Sequence, residues 1–168
     1  IGVRYIDGET LVRHKPYEFQ YIGEMIQQTV PSSFEQNAID VAYANQIYNL
    51  VNEFRILNNS QKLLRSPVLN EIAMDQSEYM AIKDLNIGSE GEILTLEDRL
   101  KEKNVSYKQV GENLAVNYND AIEVIHGWMN SKEHRESLLG EKYNITGTGV
   151  YLNNFTQVFI EKEIPINN

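Results

Sequence analysis

The order in which two periodicities appear along the chain constrains its fold more than any other feature: helical spacing fills the middle and strand-like runs close it. Ser33 with Gln36 makes a capping-box pattern, and Ile39, Tyr43, Ile47, Leu50, Val51 and Phe54 follow at helical spacing. A long helix is therefore predicted from Ser33 to about Arg55. Ser66 and Pro67 suit the cap and first position of a second helix, with Leu69, Ile72, Ala73, Gln76 and Met80 on one face. Gly88 and Gly91 mark the following loop. A shorter helix is expected after Thr95, with Leu96 and Leu100 a turn apart, and another from Asn119 or Asp120, turning Ile122, Ile125, Trp128 and Met129 inward. Ile145 to Tyr151 and Phe155 to Ile160 then read as strands joined through Leu152-Asn153-Asn154. Without regular β-α alternation, the pattern favours a layered α+β sandwich over a doubly wound parallel sheet.

The stretch from Ile1 to Tyr21 differs. Its β-prone clusters are broken by Asp7-Gly8, a hairpin signal, and by Pro16. Twenty or so residues of hairpin cannot bury a core alone, so residues 1–31 are expected to form a β-rich segment left from a preceding domain, with the main domain at 32–168. The chain opens at Ile1 without a signal-peptide pattern, which suggests a processed form or a piece of a longer protein.

Charge and composition exclude several function classes. A net charge of −9 repels a phosphate backbone or an anionic surface, and Lys and Arg are scattered singly, so no nucleic-acid partner is expected. The absence of cysteine removes disulfides, thiolate metal sites and cysteine nucleophiles together. Ser131 and His134 lie close in sequence, yet that spacing at a helix start suits a cap better than a base aimed at a hydroxyl, and there is no Gly-x-Ser-x-Gly elbow. The acids Glu90, Glu92, Glu97 and Asp98 read as a solvated face.

A set of short motifs in fixed order carries a resemblance. Asn52-Glu53-Phe54-Arg55, Gly111-Glu112-Asn113-Leu114-Ala115, Gly127-Trp128-Met129-Asn130-Ser131, His134-Arg135, Gly147-Thr148-Gly149-Val150 and Thr156-Gln157-Val158-Phe159 together resemble the bacterial branch of the CAP superfamily, the cysteine-rich secretory and pathogenesis-related proteins. The match runs from about Asn45 to Ile160. It implies a three-layer α-β-α sandwich with a mostly antiparallel central sheet. The N-terminal stretch resembles the tail of a domain that precedes the CAP domain in some Gram-positive proteins, which implies a secreted or cell-surface parent, membrane-anchored through a missing N-terminus.

The resemblance also implies a cleft lined by two histidines and two acids, holding a divalent metal such as zinc in some members. Glu112 and His134 stand at two of these positions; Gly88 stands where the first histidine belongs, and Ser131 where the second acid belongs. Two ligands fall short of the three or four that zinc takes, so no metal or other cofactor is expected. His126 lies about 200° around the helix from Trp128 and is expected on the solvated side. The ligand-cleft candidates are Glu112, Asn113, Ser131, His134 and Gln157. Glu112 and His134 also read as a structural pair, Trp128 as a core aromatic, and Arg135 as bound to a carboxylate or chain terminus. The function expected from this set is non-catalytic binding of a wall glycan, lipid or protein at the cell surface. A metal-dependent hydrolase or protease and a structural docking module are the alternatives.

Overall fold

The computed structural model describes residues 5–7, 10–12, 33–84 and 94–162. The chain divides into two compact units, Ile1–Pro31 and Ser32–Asn168. In the first, β1 (Tyr5–Asp7) pairs antiparallel with β2 (Thr10–Val12), around the expected Asp7-Gly8 signal. The clusters from Pro16 to Tyr21 lie outside the described residues, as does the Gly88–Gly91 loop.

The second unit runs α1 (Ser33–Leu57), β3 (Leu64–Arg65), α2 (Pro67–Asp84), α3 (Leu96–Glu102), β4 (Gln109–Val116), α4 (Ala121–Asn130), α5 (Lys132–Leu139), β5 (Ile145–Tyr151) and β6 (Asn154–Glu161). The strands form one sheet in the order β3-β5-β6-β4. Only the short β3–β5 pairing is parallel; β5–β6 and β4–β6 are antiparallel. The mixed α/β architecture agrees with the expected layered sandwich.

Local chemistry sets the helix starts. Thr95 caps α3 in a full capping box with Asp98, and Asp120 caps α4 by accepting from the Ile122 and Glu123 amides. The Ser33–Gln36 capping box involves side chains outside the described set. In the β5–β6 hairpin, Leu152 and Asn153 both take positive φ, 44° and 62°, as a type I′ turn requires.

Strand alternation distributes the core between two faces. On one face, Leu69, Ile72 and Ala73 of α2 pack with Leu100 of α3 and Val158 and Ile160 of β6. Gly147 and Gly149 open this face: a Cβ on either would run into the α2 backbone, at Leu69–Asn70 and Ala73–Met74 respectively. On the other face lie Val150, Phe155 and Phe159, covered by α1, α4 and α5. Tyr43 of α1 meets the Phe155 ring, and Tyr143 stacks on Phe159.

One expectation needs correction. Ile122 is 41% exposed, and Val124 fills the inward position instead, because α4 turns its Val124-Ile125-Trp128-Met129 stripe to the core. The Gly111-Glu112-Asn113 motif lies in the middle of β4, an edge strand, paired residue by residue with β6.

Candidate functional site

The strand geometry of β4 decides what Glu112 and Asn113 can reach, since neighbours on a strand point to opposite faces. Glu112 is in register with Val158 and Gly147, on the α2–α3 face. Asn113 is in register with Gln157 and Thr148, on the α1–α4–α5 face.

On the first face, both Glu112 oxygens accept from Arg99 Nη2 of α3, at 2.9 and 3.0 Å. The side chains are only 10% (Arg99) and 15% (Glu112) exposed, and Arg99 Nη1 also reaches the Ile72 carbonyl. Burial pushes the Glu112 carboxyl above its ordinary range; the Arg99 charge and hydrogen bonds pull it partly back, and Glu97 adds to the rise. Glu112 thus has a guanidinium as its partner, where the sequence suggested a structural pair with His134. Arg99 stands outside the motifs, yet with Leu96 and Leu100 it lies on one stripe of a short helix, a cation at the margin of an apolar face.

On the other face, Asn113 Nδ2 donates to the His134 carbonyl at 3.0 Å, tying β4 to the first turns of α5. His134 itself is half-buried. Ser131 occupies the N-cap position of α5 without a side-chain cap bond; its carbonyl accepts from Arg135 N. Arg135 Nη1 donates to the Met129 carbonyl at 2.6 Å, so among the described residues it ties down the end of α4. Gln157 is fully buried on β6. Trp128 is a core residue whose Nε1 donates to the Leu114 carbonyl, and His126 is exposed.

A divalent ion does not fit the described residues. The one carboxylate at a family ligand position already faces a buried cation at bonding distance, and a dication beside Arg99 would be repelled. Among the described residues no group of three or more His, Asp or Glu could hold a metal ion. Gly88, Ser89 and Glu90, where the family's first histidine belongs, lie outside the described residues. No helix of the described residues is long and apolar enough to cross a membrane.

The chain is similar to known proteins over most of its length. Residues 48–160 match the model of the cysteine-rich secretory protein family, CAP. An uncharacterized membrane protein of Bacillus subtilis, YlbC, is 34% identical over 161 residues, 96% of this chain and 46% of that protein. A solved extracellular protein with an SCP domain from Bacillus anthracis superposes with a TM-score of 0.72 at 31% identity, over 80% of this chain and 45% of that one. A solved cysteine-rich secretory protein of Staphylococcus aureus gives a TM-score of 0.63 at 31% identity, over 73% of this chain and 40% of that one. The chain thus spans less than half the length of each. With the motifs, the sandwich and the family model in agreement, the chain belongs to the cysteine-rich secretory protein family, as a CAP domain of the bacterial type.

Proposed function

We propose that this CAP domain is a non-catalytic binding module acting at the cell exterior, whose ligand docks along the β4 edge near Glu112 and His134. The observation that carries the reading is the Arg99–Glu112 pair: a carboxylate with both oxygens on a guanidinium is poorly placed to activate water or complete a metal shell. The names of two relatives, one a membrane protein and one extracellular, support the location. A net charge of −9 disfavours teichoic-acid-like polymers and points to an uncharged glycan, a lipid or a protein as ligand.

The raised carboxyl of Glu112 favours a second reading, a hydrolase using it as general acid. One experiment separates the two. The purified chain is incubated with zinc, dialysed and analysed for metal, then tested on wall glycan and peptide substrates beside Glu112→Gln. Sub-stoichiometric metal, no turnover and retention on wall material support the binding module. Stoichiometric metal, or turnover lost in Glu112→Gln, would install the hydrolase in its place.

A further inference from the structure

The face of the sheet under α1, α4 and α5 is apolar at both ends and polar across its middle. Val150, Phe155 and Ala115 form one cross-strand row, and Thr146, Phe159 and Gly111 another, four residues along. Between them runs Thr148–Gln157–Asn113, in register across β5, β6 and β4, with exposures of 4%, 0% and 0%. Thr146 in the neighbouring row satisfies its hydroxyl on the Val158 carbonyl. The middle row does not: Thr148 Oγ1, Gln157 Oε1, Gln157 Nε2 and Asn113 Oδ1 are all buried and have no partner among the described residues.

Leaving four such atoms unpaired costs roughly what four lost hydrogen bonds would, and native interiors supply partners for almost all buried polar groups. The row sets unpaired acceptors beside unpaired donors, and a water, which both donates and accepts, is the small partner that serves both. Gln157 is one methylene longer than Asn113 and lies between it and Thr148 in the row. Asn113 Nδ2 is already engaged by the His134 carbonyl, which leaves Oδ1 as the atom of that amide still needing a donor.

We propose that this row is an internal hydration site that binds one water on each side of the Gln157 amide. On the β4 side, the water donates to Asn113 Oδ1 and accepts from Gln157 Nε2. On the β5 side, it accepts from the Thr148 hydroxyl and donates to Gln157 Oε1. The site is built from three residues of the family motifs, and through Asn113 it sets the seat of α5 and His134. Asn113 and Gln157 thereby serve the interior rather than a cleft.

The test is solution NMR on the intact chain. Long-lived water cross-peaks are expected at the side-chain amide protons of Gln157 and Asn113. They should disappear in Gln157→Met, together with faster hydrogen exchange of the α5 amides. Should Gln157→Met fail to fold, the wild-type cross-peaks and a crystallographic density map decide by themselves. The proposal is overturned if those cross-peaks are absent, if they persist in the folded variant, or if the map joins Gln157 directly to Thr148 and Asn113 or places an organic molecule there.

Discussion

Arg55 Nη1 donates to the Leu138 carbonyl at 2.8 Å, joining the first helix of the domain to the end of α5, 83 residues later. The same guanidinium reaches the carbonyls of Gln61, Gly140 and Tyr143, and the side chain is fully buried. Three residues earlier, Asn52 exchanges two hydrogen bonds with the Leu63 backbone, copying a strand partner just before β3. The Asn-x-x-Arg element is thus a staple that satisfies carbonyls at the end of α5 and in the loops beside it.

Replacing Arg55 with Met should therefore cost about 3–5 kcal/mol, because it strands buried carbonyls while keeping most of the apolar volume. Arg55→Lys should recover little, since a single ammonium cannot serve carbonyls spread around a planar fork. Urea unfolding midpoints of the three proteins check this; a Lys variant as stable as wild type would show that charge alone, not the fork, holds α5.

The Arg99–Glu112 pair predicts a pH dependence of definite sign. The folded-state carboxyl titrates above its ordinary value of 4.5, so between that value and the raised one the folded chain holds a proton that the unfolded chain has released. Stability attributable to Glu112 therefore falls as pH rises through this window and levels off above it. In Arg99→Met the counter-charge is lost, so the fall should be deeper and extend to higher pH. Arg99→Met/Glu112→Gln should remove the dependence and regain part of the stability. Denaturant midpoints from pH 4 to pH 8 read all three; a fall no deeper in Arg99→Met than in wild type would dismiss the pair.

The β5–β6 turn carries a correctable flaw. Leu152 holds a φ of 44° with a side chain 41% exposed, a conformation that Asn or Gly takes at less cost. Changing Leu152-Asn153 to Asn-Gly should raise stability by about 0.5–1 kcal/mol without altering the register. A higher melting temperature with unchanged β6 amide shifts is the expected result.

What the sequence disclosed follows from the range of each interaction. Capping at Thr95 and Asp120, the Pro67 start and the Leu152-Asn153 turn are set by neighbours in the chain and were legible. Residues 109–116 carry no strand signal of their own, because Gln109-Val110-Gly111-Glu112 lacks a β-prone run and owes its strand state to β6. The site was half legible for the same reason. Glu112 and Asn113 were singled out as residues, but their division between two faces needs the strand. Arg99 as the partner of Glu112 needs α3 to fold back over it.

The glycines of β5 supply the sharpest test of the layer arrangement. Gly147 and Gly149 alternate with Thr146 and Thr148, so both present bare backbone to α2, and Ser77 of that helix donates to the Gly149 carbonyl at 3.1 Å. A methyl at Gly149 would meet the Ala73–Met74 backbone, which cannot yield as a flexible side chain could; α2 would have to lift from β5 and β6 along its length. Gly149→Ala should then destabilise by about 2–3 kcal/mol, at the upper end of overpacking costs, and Gly147→Ala by a similar amount. By contrast Gly127, whose added methyl would meet the tip of the Tyr118 side chain, should tolerate Ala with a smaller loss, because a ring at the partly exposed end of a loop can swing aside. Thermal unfolding of the three variants ranks them, and a Gly149→Ala protein as stable as Gly127→Ala would mean that α2 does not lie against β5 as closely as described.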